Sequence, residues 1–596
     1  MDAAIEGKTL CDILARNAAT FGDEPATAFK MDGEWRTSTW REYREEVARV
    51  ALGLQALGVE RGDSVALMTR NRPEHLVCDL AALHLGAIPV SLYNSFSADQ
   101  VAGVAADCRP KVAVIEKEDQ LPLWEHARAG LDHVVIVEVS GSEDKTMAYA
   151  EVEDRGRVAL KTGRERFEQE WGRLRPSDPA TIIYTSGTTG DPKGVVITNY
   201  NALWTAESVT QWGIWPTGFK YVSYLPLAHS LERLAGHWMC MYKAAFVSFC
   251  PEILEVFEVL PQVHPYAFVA VPRLWEKLEA GVKAAVEGQH PRRRAVAHKA
   301  IAAGVKAAQL EQKGQSVPLL LRAQRALFDR IVLHKIRQRI GLEEARMVLS
   351  GAAPLAPEVA EFFFGIGVTI AEGYGLSEST APATINPPDH PRIGTVGPAL
   401  PGVEVKLKGD GELMIRGGNV SPGYFNDEKK TAEVFDSEGW LSTGDIAKID
   451  PDGFVSIVDR KKEVIVTAGG KNVSPANLEN FLKRHVLISY ACVVGDRKPY
   501  ITALLALDPD EARAWAGRNG IEYSLERLAQ EPLLCEELQK AVEETNRKVS
   551  RPEAIKRFTI APQEWRPGGD ELTPTLKLKR RAIHDKYADE IASLYD

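Results

Sequence analysis

Tyr184-Thr185-Ser186-Gly187-Thr188-Thr189-Gly190-Asp191-Pro192-Lys193-Gly194 follows the strand-like run that starts at Thr181. Gly187 and Gly190 let the backbone approach a ligand closely. Successive backbone N–H groups in such a turn can form an anion-binding nest. Ser186, Thr188 and Thr189 add hydroxyls, and Lys193 adds a mobile positive charge. The stretch predicts a phosphate-binding loop that follows a strand. A Ser/Gly surface turn has the same composition, so support must come from elsewhere in the chain. The P-loop pattern GxxxxGK[ST] is absent, which sets P-loop kinases and NTPases aside.

Upstream of the loop the chain alternates short apolar runs with helical periodicity. GDSVALMTRN contains a strand; Glu74–Leu85 predicts a helix ended by Gly86, and AIPVSLY, Lys111–Glu116 and Leu131–Val139 predict further strands. This repetition implies βαβ units and largely parallel sheets. Downstream, residues 282–345 predict a helical insertion broken near Gly314 and Pro318. VTIAEGYGLSES, from Val368, predicts a strand followed by a glycine-bearing loop. Residues 401–458 predict a small β-rich lobe. Ser474 followed by Pro475 predicts a helix start. The expected organisation is a large domain over 1–458, a hinge at 459–464 and a small α+β lid over 465–596. The fold class is α/β with mixed sheets in the large domain and a small mobile C-terminal domain.

The 596 residues require more than one core, since single cores seldom exceed about 300 residues. Hydrophobic residues at 45% and charged residues at 26% fit a soluble globular protein, and the net charge of −10 argues against nucleic-acid binding. The N-terminal MDAAIEGKTLCDILARN lacks the apolar core of a signal peptide. Trp238–Phe249 is too short to span a membrane and reads as buried core. Seven scattered cysteines without CxxC spacing suggest a reducing compartment. A cytoplasmic location is expected, with peripheral attachment to the inner face of a membrane left open, and an oligomer left open.

Other motifs stand in order along the chain: PLAHSLER at Pro226–Arg233, SGAAPL at Ser350–Leu355, EGYGLSES at Glu372–Ser379, GYF at Gly423–Phe425, GWLSTGD at Gly439–Asp445, DRKKE at Asp459–Glu463 and AGGKNVSPANLE at Ala468–Glu479. With the phosphate loop they resemble the AMP-forming adenylating superfamily of acyl-CoA synthetases, non-ribosomal adenylation domains and luciferases. The resemblance covers nearly the whole chain. It implies ATP-dependent activation of a carboxylic acid to an acyl-adenylate, then transfer to coenzyme A. ATP, Mg²⁺, coenzyme A and a fatty acid are the implied cofactor and substrates.

The resemblance also implies roles. Thr185, Ser186, Gly187, Thr188, Thr189, Gly190 and Lys193 would hold phosphates. Glu378, with Thr189, would hold magnesium, which favours oxygen ligands and substrate phosphates. Gly351, Ala352 and Ala353 would wall the adenine pocket, and Tyr374 would stack on the base amid Glu372, Gly373, Gly375 and Ser377. Asp445 would hold the ribose hydroxyls, since a carboxylate can accept two hydrogen bonds from a diol, and Arg460 would contact ribose or phosphate. Asp459 would be the hinge residue. Gly469 and Gly470 would line the pantetheine path. His229 would gate the carboxylate site, and Arg392 and Gly394 would lie near the acyl and nucleotide pockets. Lys577 in LTPTLKLKRR takes the place of the adenylating lysine, with Lys579 two residues away.

PLAHSLER, the insertion and TPTLKLKRR resemble long-chain fatty acyl-CoA synthetases best. An aryl-CoA ligase, a ligase loading carrier-protein phosphopantetheine and a luciferase-like oxygenase share the architecture. A nucleotide-binding scaffold is a different class, and the joint presence of Lys193, Glu378, Asp445, Arg460 and Lys577 argues against it.

One feature is independent of any resemblance. Residues 291–340 hold twelve Lys or Arg and two acidic residues, Glu311 and Asp329, a local excess of ten positive charges in a chain of net −10. The remainder therefore carries −20. Phe328, Val332, Ile336 and Ile340, with Leu327 and Ile331 beside them, predict one apolar stripe on a helix. It is expected to pack on the large domain, while the basic face makes weak contact with an anionic membrane.

Overall fold

The computed structural model describes residues 1–138, 145–186, 192–467, 472–566, 568–573 and 576–596. Gly187, Thr188, Thr189, Gly190, Gly469 and Gly470 lie outside the described residues. Two compact units emerge. One comprises Met1–Lys406, Met414–Thr443 and Ile449–Ser456; the other comprises Leu407–Leu413, Gly444–Lys448 and Ile457–Asp596.

In the first unit, Ile88–Ser91, Ser64–Met68, Pro110–Lys117, His133–Glu138 and Thr146–Ala148 form a five-stranded sheet in that order, every pair parallel. Ser64–Met68 is buried throughout, as a parallel strand covered on both faces requires. The helix predicted at Glu74 spans Pro73–His84 and begins on its proline; Gly86 follows in the left-handed region at φ +72. Reciprocal capping boxes start other helices, with Thr39 and Glu42 before Trp40–Ala56, and Ser97 and Gln100 before Ala98–Cys108.

A second, eight-stranded sheet runs Ala381–Ile385, Ile370–Leu376, Met347–Ser350, Ala267–Ala270, Lys220–Ser223, Phe246–Phe249, Pro25–Met31 and Glu34–Thr39. It is antiparallel only at its two edge pairs. The expected loop at EGYGLSES is largely strand instead. Ile370–Leu376 continues through both glycines because it pairs with Ala381–Ile385, and only Ser377–Ser379 turns. Gly375 is obligatory there, since a Cβ would sit 1.6 Å from the Ala381 carbonyl oxygen.

The β-rich stretch over 401–458 forms a four-stranded sheet in the order Glu404–Leu407, Glu412–Arg416, Leu441–Ile449 and Val455–Arg460. In the second unit, Ile488–Val494, Ile501–Leu507 and Ile555–Ile560 form a three-stranded sheet, with the fully buried Ile501–Leu507 in the middle. Ser474 caps Pro475–Leu482 as its sequence predicts, accepting from the Asn477 N–H.

The insertion folds as Pro291–Gln312, Leu319–Phe328, a π-helical turn Asp329–Leu333 and His334–Arg339. Gly304 lets the first of these helices meet Pro357–Gly365 backbone to backbone; a Cβ on it would lie 1.9 Å from the Gly365 carbonyl oxygen. The single stripe expected on the later helix is two. Phe328, Val332 and Ile336 pack on the core with buried Leu333 and Ile340, whereas Leu327 and Ile331 face outward, 59% and 44% exposed. Arg337 turns inward, donating to the Ile366 carbonyl and to Asp329. No described helix is long and apolar enough to cross a membrane.

Candidate active site

The strands flanking the phosphate loop, Pro179–Ser186 and Pro192–Thr198, pair antiparallel, with Thr185 opposite Lys193 and Tyr184 opposite Gly194. Gly194 is needed because a Cβ would press on Ile182 and the Tyr184 ring. Tyr184 donates to Asp107 at 2.6 Å, which fixes the base of the hairpin. The short strand Gly423–Tyr424 adds to the other side of Pro192–Thr198, setting Tyr424 opposite Val195. Gly423 adopts φ +142 and lies against Thr431, so a side chain would be strained and obstructed there.

This pairing gives Tyr424 a position that its motif alone does not reveal. Its hydroxyl donates to Glu378 Oε1 at 2.7 Å, and the Lys193 ammonium lies 5.2 Å from its ring centroid. One side chain thus touches the expected magnesium carboxylate and the expected phosphate lysine. Burial, followed by the Glu378 charge, raises the Tyr424 phenol well above its usual range, so it stays a hydrogen-bond donor. The Ser421 N–H donates to the Glu378 carbonyl at 2.8 Å, joining the same two segments through the backbone. An adjoining polar cleft is lined by Asp107, Lys193, Tyr424, Asn426, Asp427 and Lys430.

The remaining motifs of the first unit meet at the edge of the eight-stranded sheet. Ser350 ends one strand, and Glu372 lies opposite it in the next. The buried Glu372 carboxylate accepts from the Leu355 N–H at 3.0 Å, holding the SGAAPL turn. Burial pushes its carboxyl up to about 7, against the opposing pull of the Leu355 and Gly394 N–H groups. Ala352 sits in the left-handed region at φ +69, a strained place for a residue with a Cβ. Gly351 lies near the Gly373 carbonyl and the Leu231 side chain, so three motifs share one corner. Tyr374 is half-buried opposite Thr384. Ser377 donates to Ser230 at 3.3 Å, beside His229, whose Nδ1 accepts from the Leu231 N–H and caps a short helix. Arg392 pairs with Asp450 and Asp452 and stacks on Phe454, which fixes its side chain within the first unit.

Glu232 and Arg233, which follow His229, are wholly buried. Sequence reading gave them no role; two charged residues leading into the apolar AGHWMCM are the signal that marks them. Arg233 pairs with buried Asp79 and donates to Ser91 at 3.3 Å. Glu232 accepts from Tyr221 at 3.2 Å, and burial pushes its carboxyl up to about 8. Between its unfolded value near 4.5 and about 8, the folded protein holds a proton that the unfolded chain releases. Stability from this group is therefore present below pH 4.5 and lost as pH rises through 8. Glu232→Gln is expected to flatten that fall by on the order of 1–3 kcal/mol. Urea unfolding at about pH 5 and about pH 8 checks this; equal losses in variant and wild type would contradict it.

In the second unit, Asp445 lies buried within the strand Leu441–Ile449, and Arg460 Nε stands 3.4 Å from its Oδ1. Lys461 pairs with Asp410 and Glu412. Buried Asp459 accepts from the Ser474 hydroxyl at 2.6 Å, which ties it to the cap of the next helix. The tail LTPTLKLKRR closes on itself: the Thr573 N–H donates to the Lys577 carbonyl at 2.8 Å, and Leu572 bridges Leu578. Lys577 is exposed, while the half-buried Lys579 commits its ammonium to the Gly569 carbonyl at 2.8 Å. Arg580, which looks in sequence like surface charge, is sequestered between Glu463 and Glu479.

Residues 14–425 match the model of the AMP-binding enzymes, and residues 462–596 that of the AMP-binding enzyme C-terminal domain. The chain belongs to the AMP-binding enzyme family. Within it, the chain is 37% identical over 581 residues to a long-chain-fatty-acid–CoA ligase of Mycobacterium tuberculosis, covering 95% of this chain and 93% of the relative. It is 32% identical to a long-chain-fatty-acid–CoA ligase of Bos taurus, covering 99% and 85%. Among solved structures it resembles the adenylation domain of a carboxylate reductase from Mycobacterium chelonae, with TM-score 0.76, 20% identity and coverage of 100% and 92%. It also resembles an anthranilate CoA ligase in complex with anthranoyl-AMP, with TM-score 0.72, 20% identity and coverage of 99% and 98%. These last two likenesses concern the fold.

Proposed function

We propose that this AMP-binding enzyme activates a long-chain fatty acid with ATP, forming acyl-AMP and pyrophosphate, and transfers the acyl group to coenzyme A with release of AMP. The observation that carries the reading is Tyr424, bonded to Glu378 and beneath Lys193 at the foot of the phosphate loop. The relatives named long-chain-fatty-acid–CoA ligases support the choice of acid and of acceptor.

The first step is attack of the ionised carboxylate on the α-phosphorus of ATP, with pyrophosphate leaving. It needs no general base. Negative charge spreads over phosphate oxygens in the transition state, so fixed cations and donors do most of the work. Lys193 and Lys577 supply cations, and the hydroxyls of Thr185, Ser186, Thr188 and Thr189 supply donors. Gly351, Ala352, Ala353 and Tyr374 receive adenine. Asp445 holds the ribose diol, with Arg460 orienting its carboxylate. The coenzyme A thiol then attacks the mixed anhydride, approaching past Gly469 and Gly470, with residues 459–464 as the hinge between the two steps. His229 positions the carboxylate.

Among the described residues no cluster of three or more His, Cys, Asp or Glu could cage a metal. A lone carboxylate held by a phenol instead fits Mg²⁺ arriving with ATP, because that ion takes one or two carboxylates and completes its shell from phosphates and water. Glu378 and Thr189 would hold it, and it would supply positive charge on the phosphate oxygens. Tyr424→Phe removes the bond that orients Glu378. It is expected to raise the half-saturating magnesium concentration by about threefold to tenfold, consistent with one lost hydrogen bond of about 1 kcal/mol. A magnesium titration at saturating ATP reads this, and an unchanged midpoint would remove Tyr424 from the site.

Asp445→Ala is expected to raise the KM for ATP by about tenfold to a hundredfold and to leave the KM for the acid nearly unchanged, since a charge-assisted hydrogen bond contributes about 1.5–3 kcal/mol. Parallel titrations of the two substrates check it; an equal rise in both would contradict the ribose role. The protein is read as cytoplasmic. A panel of short, long and aromatic acids, with and without coenzyme A, tests the whole assignment through pyrophosphate release and thioester formation. Release that depends on long-chain acids, with thioester only when coenzyme A is present, is the expected result. Preference for aromatic acids, or pyrophosphate release without thioester, would overturn it.

A further inference from the structure

A helix that covers a protein core needs one apolar stripe. The segment Leu319–Leu333 has two. Phe328, Val332 and Leu333 face the core, yet on the opposite side Leu319 is 80% exposed, Leu320 73%, Leu327 59% and Ile331 44%. Leu320, Leu327 and Ile331 are spaced by seven and four residues, so they lie in line along one face. The π-helical turn Asp329–Leu333 continues this row past the end of the α-helix.

The fringe of this row is basic. Arg322, Arg330, Lys335 and Arg339 are exposed and have no ion-pair partner among the described residues. The segment's one acidic residue, Asp329, is neutralised by Arg337, and Glu311 of the preceding helix by Arg325. Exposed leucines rimmed by uncompensated cations are the chemistry of a helix lying in a bilayer interface. The rest of the chain, at −20, would be repelled by the same anionic surface, so the field orients the molecule with this face toward it. A second copy of the chain is the poorer occupant, because a self-complementary contact would set these cations against their own images.

We propose that the outer face of Leu319–Leu333 docks on an anionic lipid bilayer, the leucine row entering the acyl boundary and the arginine and lysine fringe meeting the headgroup phosphates. This goes beyond the catalytic reading and is tested without ATP. Full-length protein is co-sedimented with vesicles of phosphatidylcholine alone or with phosphatidylglycerol added. Wild type is expected to bind the phosphatidylglycerol vesicles, to leave pure phosphatidylcholine in solution, and to lose affinity as salt rises. The triple variant Leu320→Ser, Leu327→Ser, Ile331→Ser and the triple variant Arg330→Glu, Lys335→Glu, Arg339→Glu are each expected to bind at least about tenfold more weakly. Both should retain the wild-type unfolding temperature. Leu327→Trp gives a reading without any loss of apolar surface: its emission should shift to shorter wavelength when phosphatidylglycerol vesicles are added. Wild-type binding by the serine variant, equal binding to both vesicles, no shift from Leu327→Trp, or a dimer in light scattering that the serine variant converts to monomer would overturn the proposal.

Discussion

Lys577→Ala is expected to slow acyl-adenylate formation by about a hundredfold to a thousandfold, the loss seen when one preorganised donor to a charged transition state is removed. Thioester formation from preformed acyl-AMP should stay near the wild-type rate, because the bond from the α-phosphorus to pyrophosphate, whose cleavage this lysine assists, is already broken. The resemblance gives the adenylating role to Lys577, and the tail geometry gives Lys579 a structural one. Lys577 is exposed, and Lys579 donates its ammonium to the Gly569 carbonyl. Lys579→Ala should therefore loosen the tail and leave the ratio of the two half-reactions close to wild type. Single-turnover assays of each half-reaction on both variants decide the matter. A selective adenylation defect in Lys579→Ala, with none in Lys577→Ala, would exchange their roles; equal loss in both half-reactions would remove Lys577 from the chemistry.

Glu378→Ala is expected to lower kcat/KM for ATP by about a hundredfold at fixed magnesium and to be partly restored by excess magnesium. It should also cost about 1–2 kcal/mol of stability, since the buried Tyr424 hydroxyl loses its acceptor. Glu378→Gln separates the two effects. The amide oxygen still accepts from Tyr424, so stability should return while the magnesium defect remains. Wild-type magnesium dependence in the glutamine variant would show that the carboxylate charge does not hold the ion.

The sequence carried the doubly covered strands well, because a strand covered on both faces must be a short continuous apolar run. Ser64–Met68 and Ile501–Leu507 are such runs, wholly buried. Local chemistry was equally legible at Ser474–Pro475, where cap and first-turn proline act within a few residues. What stayed hidden depends on distant pairing. EGYG reads as a glycine turn until Ala381–Ile385 is known to lie beside it, and then Gly375 becomes the residue that permits the close approach. Tyr424 is one aromatic in a three-residue motif; only its strand's register against Val195 brings it to Glu378 and Lys193. The two stripes of Leu319–Leu333 are confounded in a list of apolar positions, because sequence spacing does not say which stripe finds a core.

The acyl-adenylate is the centre of the proposed chemistry, and oxygen transfer reports it directly. The fatty acid is supplied with both carboxylate oxygens as ¹⁸O, and the products of a complete reaction with ATP and coenzyme A are weighed by mass spectrometry. Attack by the carboxylate on the α-phosphorus leaves one acid oxygen on that phosphate when the thiol displaces it. AMP should therefore carry a single ¹⁸O and pyrophosphate none. Unlabelled AMP alongside acyl-CoA, or label in inorganic phosphate with ADP as the nucleotide product, would contradict an adenylating mechanism.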